Sequence, residues 1–202
     1  MSIMAPQDGL QPIDDGCAVW VSNSEIYNSD ELIDQLGITP VCASDSKAIG
    51  PVLERFGVEG LARLDGQFAI VHVDAHSGHW IAGRDHMGIC PMYIGWHENG
   101  TVWFASEMKA LVHDCDRVEL VEPGTAWVRD QKGVRCVRWY DPNWVRSASG
   151  LKGSPGQIRT LLTEAVAKRI RSDAPWGVLL SGGLDSSLVA SIASRLHRQR
   201  TG

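Results

Sequence analysis

The sequence predicts an α+β protein: a β-rich first domain, then the opening of an α/β domain. Three observations predict it. Short apolar runs alternate with turn residues from Cys17 to Val137, as in antiparallel strands. Two short helical patterns interrupt that series near its start. After residue 156 the pattern changes to helix, apolar strand, Gly-rich loop and helix. The expected boundaries are 1–141 for the first domain, 142–156 for a Ser/Gly/Pro-rich linker and 157–202 for the second region.

Each element has its own local reason. Cys17 to Val21 is a short apolar run that fits a buried strand. Ser29 precedes a short helix through Leu36, and Gly37 ends it. Asp45 opens a second helix with Ile49, Val52, Leu53 and Phe56 on one face and Gly57 as its stop. Phe68 to Val73 and Trp80 to Ala82 flank a polar turn. Tyr93 to Trp96 and Val102 to Ala105 flank Asn99-Gly100, and Thr125 to Val128 and Val134 to Val137 flank Lys132-Gly133, both hairpin signals. Ser154-Pro155-Gly156-Gln157 has capping-box spacing ahead of a helix carrying Ile158, Leu161, Leu162, Ala165, Val166 and Ile170. Trp176 to Leu180 reads as a buried strand, and Leu188, Val189, Ile192 and Leu196 mark the closing helix.

Composition excludes several classes. The chain has 202 residues and a net charge of -5, with no Lys/Arg block, which argues against nucleic acid or an anionic membrane as partner. No apolar run is long enough to span a bilayer, and the start is not a secretory signal, so the cytosol is the expected compartment. Five scattered cysteines with no CxxC spacing speak against a disulfide framework or structural zinc. His72, His76 and His79 are close in sequence, but no ligand set completes them, and solvated turn histidines are the expectation. The eight tryptophans are spread over strands and read as packing residues.

The strongest chemical signal is Ser181-Gly182-Gly183-Leu184-Asp185-Ser186-Ser187, between an apolar strand and a helix. Glycines let the backbone approach a ligand, a helix N-terminus offers unpaired N–H groups, and three hydroxyls add donors. Asp185 can hold Mg²⁺ bridging the phosphates. Without a Gly-Lys-Ser/Thr ending this is not a Walker A loop. It resembles the pyrophosphate loop of the ATP pyrophosphatase group.

Three further strings resemble the class II glutamine amidotransferases: Asn23-Ser24-Glu25-Ile26-Tyr27-Asn28, Gly83-Arg84-Asp85-His86-Met87-Gly88-Ile89-Cys90-Pro91-Met92-Tyr93, and Ala105-Ser106-Glu107-Met108-Lys109-Ala110-Leu111. With the loop downstream, the order is similar to that of the glutamine-hydrolysing asparagine synthetases. The resemblance implies an incomplete αββα N-terminal-nucleophile hydrolase-like domain followed by the start of an ATP pyrophosphatase domain. It implies ATP-dependent amidation of aspartate through β-aspartyl-AMP, using ammonia from glutamine. Glutamine, aspartate and ATP with Mg²⁺ are the implied small molecules. A homodimer or association with a full-length enzyme is the implied protein partnership.

Residue by residue, the resemblance places the oxyanion hole at Asn23 and Ser24. Glutamine-binding groups fall at Asn23, Ser24, Glu25 and Asp45. ATP contacts fall at Leu179, Ser181, Gly182, Gly183, Asp185 and Ser186. Arg84 and Asp85 fit a structural ion pair as well as a catalytic role, and Glu107 and Lys109 fit a domain interface. Two departures stand out. No cysteine follows Met1, so the family's N-terminal nucleophile is missing, and Cys17 is expected to be core. Ser24 replaces glycine, which matters if that position needs a positive φ. The chain is expected to lack both ends of the family's enzyme, to catalyse neither half-reaction alone, and to be loosely ordered over 151–202. The alternatives are a non-catalytic nucleotide- or partner-binding relative and a β-lactam synthetase-like enzyme.

Overall fold

The computed structural model describes residues 8–146, 153–173 and 175–201. The chain divides into two compact units, Met1–Val145 and Arg146–Gly202.

The first unit is built on an antiparallel six-stranded sheet. Its strands are β1 (Ile13–Asp14), β2 (Ala18–Ile26), β3 (Gly66–Asp74), β4 (Trp80–Arg84), β8 (Thr125–Asp130) and β9 (Gly133–Arg138), in that spatial order. A second sheet has the order β6 (Val102–Ala105), β5 (Tyr93–Trp96), β7 (Arg117–Leu120). Strand alternation divides the side chains between two cores. Trp20, Ile26, Phe68, Ile70 and Ala126 face the helices α1 (Ser29–Leu36) and α2 (Ile49–Phe56) and the 3₁₀ segment Gly57–Arg63. Ala69, Val71, Trp80, Ala82 and Trp127 face Met92, Ile94, Trp96 and Phe104 of the second sheet. The layers are therefore helix, sheet, sheet, which gives three layers of the αββα expectation. The outer face of the second sheet is covered at Gly95 by Leu111 and Cys115, while Trp103 and Leu120 on that sheet stay exposed.

Local chemistry fixes the elements. The N–H of Gly37, left-handed at φ 66°, closes α1 onto the carbonyls of Ile33 and Asp34. α2 lies directly on the Trp20 ring: a Cβ on Gly50 would sit 2.3 Å from it, so only glycine permits this approach. Gly100 and Gly133 take the positive φ that their hairpins require.

Several expectations need correction. Cys17 is exposed, not core. The Asp15 carboxylate accepts the N–H groups of Cys17 and Ala18, so a bend precedes the strand and β2 starts at Ala18. β2 runs on through the polar run to Ile26, because all nine of its residues pair with β3. His72 is no solvated turn residue but lies 4% exposed within β3. Arg84 and Asp85 do not pair with each other among the described residues. Arg84 donates to the carbonyls of Gly88, Cys90 and Val121 at 2.7–2.8 Å. Asp85, wholly buried, accepts the N–H groups of Phe68, Met87, Ile89 and Cys90 at 3.0–3.2 Å. Both therefore act on main chain, and Gly88 at φ 67° lies against Arg84 and Pro123 with no room for a Cβ.

In the second unit the capping box forms as expected. Ser154 Oγ accepts Gln157 N–H at 3.2 Å and Gln157 Oε1 accepts Ser154 N–H at 2.8 Å, opening α4 (Pro155–Arg169). α4 and α5 (Leu184–Thr201) share a small core of Val166, Ile192 and Ala193. The strand expected at Trp176 to Leu180 is absent: the segment is irregular, and Leu179 is 97% exposed. A strand needs a neighbour for its N–H and C=O groups, and none pairs with it among the described residues. A four-residue helix, α3 (Asn143–Arg146), occupies part of the expected linker, and residues 147–152 lie outside the described residues. No helix among the described residues is long and apolar enough to cross a membrane.

Two stability predictions follow from the buried polar groups. Asp85→Ala strands four N–H groups, two of them in buried bonds, and is expected to cost about 3 kcal/mol, read from urea denaturation of the first unit's signal. A loss below about 1 kcal/mol would show that water replaces the carboxylate. Burial lowers the His72 pKa below its usual 6.5, against a smaller opposing pull from Asp15 and Asp74, and its Nε2 finds no partner. In the window below 6.5 the unfolded chain then binds more protons than the folded one, so stability falls as pH drops. His72→Leu is expected to flatten the melting temperature against pH between about pH 7 and about pH 5.5, relative to wild type.

Candidate functional site

Strand parity decides which way β2 presents its main chain. Ser24 pairs with Phe68. Phe68 spends its own N–H and C=O on Asp85, on the β4 side. The Ser24–Phe68 pair is therefore a non-hydrogen-bonded one, and the N–H and C=O of Ser24 point away from β3, out of the sheet edge. Ser22 and Ile26, two residues either side, point the same way. The Gln11 carboxamide satisfies Ser22, with Oε1 accepting its N–H at 2.6 Å and Nε2 donating to its C=O at 2.8 Å. The Asp45 carboxylate satisfies Ile26, accepting its N–H at 2.6 Å. Ser24 lies between these two tied positions. It is extended strand, so the serine needs no positive φ, and its side chain does not block its own N–H.

Side chains divide by the same alternation. Asn23 lines a cavity of about 220 Å³ between the two sheets, together with Gln11, Ala69, Met92, Phe104 and Ser106. Glu25 projects from the same face as Asn23. Burial, and behind it the charge of Asp45, pushes the Glu25 carboxyl up to about 7. A carboxyl held up by burial and by a neighbouring negative charge favours a cation beside it. Asp45 is 8% exposed and opens a 3₁₀ turn, Asp45–Ala48, capped by Ser44.

Of the four residues picked out on this domain, Ser24 and Glu25 are neighbours on β2, Asp45 takes the N–H of Ile26 and its charge reaches Glu25, and Asn23 opens into the adjoining cavity. Sequence reasoning missed Gln11, Ser22 and Ser46. Ser24 Oγ donates to Ser22 Oγ at 2.9 Å, and Ser46 Oγ lies 3.3 Å from each. Spacing gives no signal for the contacts to Gln11 and Ser46, which join residues 11 to 24 positions apart. Cys17 lies outside this group, in the bend ahead of β2. Glu107 and Lys109 form an exposed ion pair around the turn Met108–Ala110. No group of three His, Cys, Asp or Glu side chains able to hold a metal ion occurs among the described residues.

The second unit carries the glycine-rich loop. Gly182 has φ 83°, and the loop is closed by its hydroxyls: Ser181 Oγ lies 2.8 Å from Ser186 Oγ, and Ser186 and Ser187 Oγ donate to Gly183 C=O at 3.1 and 2.7 Å. α5 starts directly behind, with Asp185 in its first turn. A Cβ at Gly182 would meet nothing, and one at Gly183 only the loop's own hydroxyls. The open backbone at Gly182 and Gly183, the helix N-terminus and the loop hydroxyls fit a polyphosphate.

Comparison with known proteins agrees with both units. The family model described as glutamine amidotransferase domain matches residues 1–113, and the one described as asparagine synthase matches 157–201. Asparagine synthetase [glutamine-hydrolyzing] 2 of Oryza sativa subsp. japonica is 44% identical over 199 residues, 96% of this chain and 33% of the relative. The Zea mays asparagine synthetase is 43% identical over 201 residues, and synthetase 3 of Arabidopsis thaliana is 44% identical over 200, each covering 96% of this chain and 34% of the relative. The chain thus spans about a third of the length of these curated relatives. Among solved structures, the glutamine phosphoribosylpyrophosphate amidotransferase from B. subtilis, complexed with ADP and GMP, superposes with TM-score 0.55 at 19% identity. It covers 92% of this chain and 47% of that one. At that identity the likeness speaks for the fold, an N-terminal-nucleophile hydrolase type with antiparallel sheets. With its first 113 residues matched by that family model and an asparagine synthase segment behind them, the chain belongs to the glutamine amidotransferase domain family.

Proposed function

We propose that this chain carries the glutamine site and the ATP loop of a ligase that amidates aspartate. The observation that carries the reading is the β2 edge, where the Ser24 N–H points outward beside the Glu25 and Asp45 carboxylates. Substrate glutamine places its side-chain amide oxygen against Ser24 N–H and the Asn23 carboxamide, the donors that would stabilise the oxyanion when a nucleophile, not among these residues, adds to that amide. Its α-ammonium lies between Glu25 and Asp45. Both demands are met within a few residues of one strand.

In the second unit the loop 181–187 takes the phosphates of ATP. Gly182 and Gly183 let the backbone approach, Ser181 and Ser186 donate hydroxyls, and Asp185 holds Mg²⁺ through the pyrophosphate. The Leu179 main chain lies on the way to the adenine. ATP supplies the adenylate that activates the aspartate carboxylate. The family kinship of both segments and the relatives' printed activity support this reading.

Titration calorimetry with L-glutamine tests it. Wild type is expected to bind, and Asp45→Asn to weaken binding about tenfold or more, as for a lost charged contact. Affinity is expected to rise as pH passes through about 7, because Glu25 must ionise to meet an ammonium. Failure of wild type to bind glutamine at about 10 mM, ten times the upper end of ordinary substrate affinities, would sink the glutamine reading. For the loop, Mg·ATP affinity is expected to fall about tenfold in Asp185→Asn.

A further inference from the structure

We propose that Ser24 is a positioning residue: its hydroxyl locks the turn that carries Asp45 onto β2, and so sets the seat of the ammonium group. The inference rests on the glutamine reading for its functional part, but its structural part stands alone.

β2 and the turn Asp45–Ala48 are joined at few points. Trp20 Nε1 donates to Ser46 C=O at 3.1 Å, and Ile26 N–H donates to Asp45 Oδ2 at 2.6 Å. Between them lies the hydroxyl triangle of Ser22, Ser24 and Ser46, with edges of 2.9, 3.3 and 3.3 Å. Ser46 is 4% exposed, so its hydroxyl has few alternatives in water. Each hydroxyl offers one donor and two acceptor sites, so a closed ring can satisfy all three. Ser24 is the corner nearest Ile26 along the strand. Its side chain faces the helix layer while its N–H faces the edge, so the hydroxyl acts through Asp45 and not on the substrate amide. With glycine here, as in the related strings, the ring is left with two corners, and the turn loses the side-chain contact that lies between the Trp20-to-Ser46 and Ile26-to-Asp45 bonds.

The experiment compares wild type, Ser24→Gly, Ser24→Ala, Ser46→Ala and the double variant Ser24→Ala/Ser46→Ala in the full chain. The first readout is amide exchange at Ile26. Loss of the Ser24 hydroxyl is expected to speed it about fivefold, the scale of one neutral hydrogen bond, with the double variant no faster than the single ones. The second is L-glutamine affinity, expected to fall about fivefold in step, with the pH midpoint of binding displaced as Asp45 moves relative to Glu25. Ser24→Ala keeps the Cβ, and so separates the hydroxyl from the backbone freedom that Ser24→Gly adds. Unchanged exchange at Ile26 in Ser24→Ala overturns the lock. Faster exchange with unchanged glutamine affinity overturns its role in the ammonium seat. Faster exchange in a chain that binds no glutamine at all leaves the lock standing and removes the glutamine reading instead.

Discussion

The buried carboxylate of Asp85 is the constraint on which the rest of the first unit depends. It gathers N–H groups from β3 at Phe68 and from the approach to β5 at Met87, Ile89 and Cys90. Its neighbour Arg84 gathers carbonyls from Gly88 and Cys90, and from Val121 just beyond β7. One dipeptide at the end of β4 therefore ties the six-stranded sheet to β5 and β7 of the three-stranded one. A charged group buried at this depth is costly unless its hydrogen bonds are filled, and here main chain fills them. That arrangement makes the connection specific, since no other register offers the same set of donors and acceptors.

The same knot orients the site. Because Phe68 turns its main chain toward Asp85, Ser24 opposite it must turn its own toward the sheet edge. The outward N–H at Ser24 is thus a consequence of pairing two strands away. Gln11 and Asp45 then fill the equivalent positions at Ser22 and Ile26, and leave a gap one pair wide between them. Beyond the two-residue β1, β2 runs as an edge over Ser22 to Ile26, a stretch that is usually a liability, and Gln11 and Asp45 take its main-chain groups on either side of Ser24.

Much of this was legible locally. The hairpin turns at Asn99-Gly100 and Lys132-Gly133, the αL stop at Gly37 and the capping box at Ser154 are short-range signals, and each formed where its residues lie. The full length of β2 was not legible, because Ser22 to Glu25 is polar and only pairing with β3 makes it a strand. Nor was the Trp176 to Leu180 segment: its composition is that of a buried strand, but a strand also requires a neighbour. Arg84 and Asp85 have opposite charge and adjacent positions, which suggests a pair. Both instead bind the main chain of the following turn, Arg84 its carbonyls and Asp85 its N–H groups, and each adds a bond beyond it, Arg84 to Val121 and Asp85 to Phe68. At the site, Asn23, Ser24, Glu25 and Asp45 were readable through resemblance alone. Gln11 and Ser46 were not readable, because their roles depend on contacts 11 and 24 residues away.

Serine in place of glycine at position 24 shows how main chain and side chain can be separated at one residue. An oxyanion donor needs a correctly aimed N–H, and any L residue supplies that from extended backbone. Glycine is required only where φ is positive or where a Cβ would collide, and neither holds within β2 at Ser24. The Cβ there leads into the helix layer, where Ser22 and Ser46 receive the hydroxyl. The substitution therefore leaves the aim of the donor intact and adds a contact behind it. What changes is the hold of the Asp45 turn on the strand, so under the proposed glutamine reading the residue bears on the ammonium end and not on the amide.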